Sequence, residues 1–381
     1  MTSVPPDISL QALAWCFALA LVGMFGWRRR VLGKRVDRTA QNVVIAGAAN
    51  GMGRATCEAL LTDFDDMVFA LDVDQPALDA LMAWADSRSV AANLVCIKCD
   101  VTDDASVASA VTLVTARLAM VSQADSTRRA QHIHSIINFA GVYACGPLLE
   151  QPVLEETERC LQINVIGTMR VNQAFHHLLP QTWPSDEAAR RSSHAGTIVV
   201  VGSETIEARF AAGLTGPYLM SKYAIDTYAD CLRQELQSML DPTPPIQVSK
   251  VVFGPVGTSV VTEQPAARAQ ALVRGGSRWW AALLRFVATV EVYNQTYSMP
   301  AKTAGEHLAR VVHAVQKPRH VVFNMSLPMR FLSCLPQALR QQLLDVSARR
   351  RQLGPRVLLG CFSSDNPAWT MRQQELLQKH L

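Results

Sequence analysis

The chain has 381 residues, 49% of them hydrophobic and 18% charged, which suits one large core and excludes a disordered or fibrous polymer. Its 36 Lys and Arg against 32 Asp and Glu give +4, yet residues 28–38 alone hold six cations against Asp37, a net of +5 that leaves about −1 elsewhere. A body without basic excess gives nucleic-acid binding no support, and nine cysteines in so long a chain point to reduced thiols rather than a disulfide framework.

The first element in chain order is Ile8–Trp27, twenty residues without a charge. At about 1.5 Å per residue such a helix spans about 30 Å of hydrocarbon. Arg28, Arg29 and Arg30 follow at once, then Lys34 and Arg35, whereas Asp7 precedes it. A cleaved signal peptide carries its positive charge on the other side. Residues 1–30 therefore read as a single-pass transmembrane anchor and 31–41 as a basic linker drawn to anionic lipid. The catalytic body then faces the cytosol, with the endoplasmic reticulum as the expected membrane.

The body opens with Asn42–Ala46, a short apolar strand, followed by a helix from Met52 to Leu61. Gly47, Gly51 and Gly53 fall in the turn between them, where the backbone approaches a pyrophosphate and the helix N-terminus favours its charge. A second strand, Met67–Leu71, ends in Asp72, nineteen residues past Gly53, placed to accept hydrogen bonds from the adenosine ribose. That carboxylate repels a 2′-phosphate and favours NAD, while Arg54 tempers the preference and keeps NADP open. Further strands are Leu94–Cys99, ending in Asp100-Val101-Thr102; Ser135–Ile137, leading into Asn138-Phe139-Ala140-Gly141; Thr197–Val201, delivering Ser203; and Ile246–Val252, ending at Phe253-Gly254-Pro255-Val256-Gly257-Thr258. Helical patterns over Pro76–Ala85, Asp103–Ala119, Leu154–Leu179 and Pro217–Leu240 separate them. Strict alternation with unalternating apolar strands predicts an α/β fold: a Rossmann-type doubly wound parallel sheet behind the N-terminal transmembrane helix. Ligands bind such sheets at the carboxyl ends of the strands, where all of these motifs lie.

The chemistry sits on the helix after Ser203. Tyr218 and Lys222 are four apart and share one helix face. An ammonium beside a phenol lowers its pKa toward neutrality, as a general acid/base for an alcohol or ketone requires. Ser203, fifteen residues upstream, supplies a hydroxyl for the substrate oxygen.

On these residues the chain resembles the short-chain dehydrogenase/reductase family over about residues 43–258. The family's glycine motif appears as Ala46-Gly47-Ala48-Ala49-Asn50-Gly51-Met52-Gly53, with Ala46 in place of a threonine, and its Asn-Asn-Ala-Gly as Asn138-Phe139-Ala140-Gly141. Its asparagine, serine, tyrosine and lysine match Asn164, Ser203, Tyr218 and Lys222. Gly254, Val256 and Thr258 match the segment that meets the nicotinamide, with Phe253 in place of a proline. The helix from Pro217 to Leu236 looks most like the retinol dehydrogenase and 17β-hydroxysteroid dehydrogenase branch. The resemblance implies that Lys222 holds phenolate and ribose and that Asn164 fixes a water for proton relay. It also implies that Gly47, Asn50, Gly51, Met52, Gly53, Asp72, Asp100, Val101, Asn138, Ala140, Gly141, Tyr218, Lys222, Gly254, Val256 and Thr258 line the cofactor.

The expected domain covers residues 42–320, with a C-terminal extension over 321–381. Val121–His134 and Gln181–Gly196 read as exposed inserts, and Ser277–Val292 and Pro367–Leu381 as Trp-containing helices. Cys96-Ile97-Lys98-Cys99 has metal spacing but lies in a strand, where alternate residues face opposite sides, so no metal is expected. Asn294-Gln295-Thr296 and Asn324-Met325-Ser326 match the glycosylation sequon, which matters only for a lumenal body. The expected partner is a lipophilic alcohol or ketone that partitions into the bilayer beside the anchor, and the sequence allows a homo-oligomer. The alternatives are an NADPH-dependent reductase of a keto-lipid and an idle cofactor-binding scaffold.

Overall fold

The computed structural model describes residues 36, 38–124, 132–181, 196–209, 211, 213–240, 245–258, 279–314, 319–326 and 329. The predicted anchor at 8–27, its basic flank and the helix at 367–381 lie outside them.

Seven strands form one wholly parallel sheet: β1 (Asn42–Ala46), β2 (Met67–Asp72), β3 (Leu94–Lys98), β4 (Ser135–Asn138), β5 (Gly196–Ser203), β6 (Ile246–Phe253) and β7 (His320–Phe323). Their order is β3-β2-β1-β4-β5-β6-β7. It reverses between β1 and β4, in register from Val43 opposite Ser135 to Ala46 opposite Asn138, and opens a crevice at their carboxyl ends.

The strands carry apolar residues on both faces because both are covered. Val43, Ile45, Val68 and Ala70 face helices α1 (Gly51–Asp63) and α2 (Gln75–Ser87). Val44, Ala46, Phe69 and Leu71 face the opposite layer of α3 (Asp104–Ala124), α5 (Thr168–Phe175) and the long helix below Ser203, against which α4 (Gln151–Leu161) packs. Helix α3 is long and apolar enough to cross a membrane. Val107, Ala110, Val114 and Leu118 recur on one face of it and are buried in the sheet-covering core, so it serves here as a core helix.

The strand predictions agree within two residues, but β7 is an addition. Its four residues, His-Val-Val-Phe, are too short a run to stand out in a sequence. Because β7 pairs with β6 from Lys250 opposite His320 to Phe253 opposite Phe323, the boundary expected at 320/321 falls inside a strand. The folded body continues at least to the buried Met325, Ser326 and Met329. At its other end Val36 bridges Ala314 and Gln41 is fully buried, so the linker is partly built into the fold.

The helix predicted over Leu154–Leu179 begins at Gln151 and contains a π turn at Gln162–Gly167 between α4 and α5. Among the described residues four more α-helices follow: α6 (Glu204–Glu207), α7 (Gly216–Gln234), α8 (Trp280–Tyr297) and α9 (Ala301–Val312). Helix α8 lies three residues later than the expected start, and α9 was not expected from the sequence.

Candidate active site

The crevice floor is the glycine loop. Gly47 has a positive φ of 78°, and a Cβ there would sit 2.4 Å from the Ala140 backbone nitrogen. A Cβ at Gly53 would sit 1.9 Å from the Gly47 carbonyl oxygen. Only glycine permits this backbone-on-backbone packing, which leaves a bare concavity in front of the α1 N-terminus. Asn50 precedes α1 in extended conformation, and Met52 is half-buried against the core. Gly51 faces Thr258 across the crevice: a Cβ at Gly51 would lie 3.2 Å from the Thr258 methyl. Such a cradle, with a carboxylate at the end of the next strand, fits a dinucleotide.

That carboxylate is Asp72. Its Oδ2 accepts from the Ala49 backbone N–H at 2.9 Å and its Oδ1 from that of Asp74 at 3.1 Å, so β2 and the glycine loop are tied together. Asp74, a second carboxylate beside it, caps α2 and accepts from Asn50 Nδ2 at 3.3 Å. Arg54 donates instead to Glu58 at 2.9 Å, which occupies the cation that tempered the NAD preference. Asp100 holds its own turn through the Thr102 N–H and hydroxyl. Val101 is buried against Gly167, and its carbonyl accepts from Arg170.

Asn138 departs from the expected role. It is buried, and its Nδ2 donates to Asn172 Oδ1 at 2.9 Å, bracing β4 against α5. Only the Phe139-Ala140-Gly141 backbone beyond it borders the crevice, held by the Phe139 and Ala140 N–H groups on the Ala46 carbonyl. Past β6, a Cβ at Gly254 would lie 1.8 Å from the Asn324 carbonyl oxygen. Val256 is buried and bridges Met299. Phe253 stacks on Phe323 at 5.5 Å, which accounts for an aromatic residue at this position.

Asn324 sits just after β7 at a positive φ of 50°. Its Nδ2 donates to the Tyr297 carbonyl at 2.8 Å and the Pro255 carbonyl at 3.3 Å. That sequon is therefore spent on the fold.

Ser203 ends β5 and caps α6, its Oγ accepting from the Thr205 hydroxyl at 2.9 Å. Tyr218 lies in the first turn of α7, after Pro217, whose missing N–H costs nothing there. Burial pushes its phenol up to about 12, opposed by the neighbouring Ser203 hydroxyl. Lys222 follows one turn later, its Nζ 5.8 Å from the Tyr218 ring centroid, and donates to the Val201 carbonyl at 3.1 Å. Burial pulls it down to about 8. The expected depression of the Tyr218 pKa is thus reversed in this state, because desolvation of the phenol outweighs the Ser203 contribution.

Asn164 sits in the π turn, an irregularity that recurs at functional sites. Its Oδ1 accepts from the Val142 N–H at 2.8 Å, and its Nδ2 donates to the Val142 carbonyl at 3.0 Å and Ser221 Oγ at 2.9 Å. Ser221 in turn donates to the Tyr218 carbonyl at 2.7 Å. The side chain therefore positions α7 through Ser221.

Sequence reasoning missed the residues around the phenol. Tyr143 tilts against Tyr218 with ring centroids 4.7 Å apart. Cys145, Leu214, Leu283, Phe286 and Val287 complete an apolar cluster around Tyr218. The i, i+3, i+4 spacing of the last three on α8 is the one sequence signal that marks this buried face.

Comparison with known proteins agrees with this geometry. The sequence model of the family described as short chain dehydrogenase matches residues 41–269. A Caenorhabditis elegans protein named 3beta-hydroxysteroid dehydrogenase dhs-16 is 28% identical over 56% of this chain and 50% of its own length. A Schizosaccharomyces pombe protein named NADPH-dependent 1-acyldihydroxyacetone phosphate reductase is 26% identical over 50% of this chain and 53% of its own. The chain thus spans about half the length of these curated relatives. In fold it is similar to a short chain dehydrogenase/reductase from Burkholderia phymatum solved with NAD, at TM-score 0.56 and 17% identity, over 82% of this chain and 96% of that one.

Proposed function

This chain belongs to the short chain dehydrogenase family, and on that footing we propose that it is a membrane-anchored, NAD-preferring oxidoreductase acting on a lipophilic alcohol or ketone of steroid, retinoid or long-chain lipid type. The observation that carries the substrate class is the apolar cluster of Tyr143, Cys145, Leu214, Leu283, Phe286 and Val287 around Tyr218. A polar substrate would leave its groups unpaired against such a wall. The name of the Caenorhabditis elegans relative, a hydroxysteroid dehydrogenase, supports the same class.

When bound, NAD(P) supplies the hydride acceptor or donor. Tyr218 takes the hydroxyl proton at its phenolic oxygen during oxidation and returns it during reduction. Ser203, beside that phenol, orients the substrate oxygen. Burial keeps Tyr218 protonated at neutral pH, so the unliganded site is set to donate. Lys222, pulled down to about 8 by burial, stands beside the Tyr218 ring, where its ammonium would favour the phenolate that oxidation requires. Asn164 and Ser221 hold the turn of α7 that carries both groups.

The preference for NAD is supported by the two carboxylates, Asp72 and Asp74, at the end of β2, which would repel a 2′-phosphate, while Arg54 is paired with Glu58. The second reading, an NADPH-dependent keto-lipid reductase, is favoured by the name of the Schizosaccharomyces pombe relative. A panel of lipid alcohols and ketones assayed with both cofactors tests the reading. Turnover of a steroid, retinoid or long-chain substrate with NAD(H) supports it. Preference for NADPH moves the assignment to the reductase, and silence across the panel leaves the idle scaffold. The anchor rests on the apolar run at 8–27 and its basic flank. Protease added to sealed microsomes should digest the body; protection would place it in the lumen.

A further inference from the structure

One buried carboxylate beside the reacting groups has no part in the chemistry described so far. Glu204 follows Ser203 directly and is 4% exposed. An ionised carboxylate is costly to bury unless hydrogen bonds hold it. Here they come from two distant elements: the Tyr293 phenol on α8 donates to its Oε1, and the Ser326 N–H beyond β7 donates to its Oε2 at 2.8 Å. Tyr293 also bonds the Ser326 hydroxyl, closing a ring of three residues through the Ser326 backbone N–H. Burial, and then the Glu204 charge, push the Tyr293 phenol far up, so it stays a donor at any physiological pH.

The location gives the ring its consequence. Phe286 and Tyr293 are seven residues apart and lie on one face of α8, as Leu283 and Val287 do. The first part of that face makes the apolar wall over Tyr218, and two turns later the same face carries the phenol that meets Glu204. Asn324, two residues before Ser326, bonds the α8 C-terminus and the loop after β6. Glu204 is thus the point at which the strand delivering Ser203 meets the helix that walls the substrate side.

We propose that Glu204 is a positioning residue which, through Tyr293 and Ser326, fixes helix α8 against the catalytic end of β5 and so sets the shape of the lipophilic pocket. The inference rests on the reading of α8 as the substrate-side wall. Its primary test needs no substrate.

Glu204→Gln, Tyr293→Phe and the double variant of the full chain are compared with wild type by amide hydrogen exchange in the presence of NADH. Exchange over α8 should rise at least tenfold in each single variant, while residues 42–63 and the NADH Kd stay within twofold of wild type. The double variant should be no worse than the weaker single one, because both changes break one contact. With a 3-ketosteroid as probe, KM should rise at least tenfold while kcat falls less than threefold, a split that general destabilisation would not give. Unchanged exchange over α8, additive effects in the double variant, or raised exchange with unchanged KM would each overturn the proposal. If wild type does not turn over the steroid, the best substrate of the panel replaces it; if none is turned over, the substrate class fails and the exchange result alone decides. Should Glu204→Gln not fold, Tyr293→Phe carries the test.

Discussion

Replacing Gly53 by alanine isolates the cofactor cradle from everything else in the protein. The new methyl carbon would stand 1.9 Å from the Gly47 carbonyl oxygen, and ordinary contact begins near 3.4 Å, so helix and loop must part by about 1.5 Å. Neither side yields cheaply. Gly47 and Ala48 both donate to the Leu71 carbonyl, and Ala49 is fastened to Asp72. Overpacking of this kind costs about 3 kcal/mol, which in a domain of this size lowers the melting temperature by roughly 6–12 °C. The opened loop should also lose NADH affinity by tenfold or more, about 1.4 kcal/mol per decade. Gly213→Ala is the control, because a Cβ there meets nothing within 4 Å. Fluorescence titration with NADH and a thermal melt on both variants read the result. Gly53→Ala binding NADH within twofold of wild type and melting with it would refute the cradle.

Asp72→Asn should narrow the preference for NAD over NADP at least tenfold by removing a charge while keeping an acceptor for the Ala49 N–H, as measured by paired cofactor titrations; an unchanged ratio would shift the discrimination to Asp74. Lys222→Met addresses the buried ammonium through pH. With the folded pKa drawn from 10.5 to about 8, the unfolded chain alone keeps the proton between those values, so this group's contribution to stability rises with pH there and is lost as pH falls through 8. The variant should therefore gain on wild type most at pH 7 and least near pH 10 in urea unfolding, and a gap that does not change with pH would contradict the assignment.

The sheet was legible because its strands are buried on both faces and read as unbroken apolar runs, bounded by glycine, Asp72 or Asp100. Strand β7 was not, since four residues carry no period, and its place comes from pairing with β6 rather than from its own pattern. The positions of Ser203, Tyr218 and Lys222 could be read from spacing, but their electrostatics could not. Burial of Tyr218 depends on Tyr143, more than seventy residues before it, and on Phe286 and Val287, more than sixty after it. Asn138 and Asn164 are matched by motif, yet their side chains are directed by a helix layer and a π turn that no short pattern reveals. No short pattern marks Glu204, because the groups that meet it, Tyr293 and Ser326, lie 89 and 122 residues away.

Tyr218→Phe tests the central claim most directly. It removes the phenolic oxygen while keeping the ring that packs against Tyr143. With the best lipophilic alcohol or ketone of the panel, turnover should fall below a few percent of wild type while NADH binding stays within twofold. Activity retained well above that level would show that proton transfer runs through another group and that the hydride-transfer site has been misassigned.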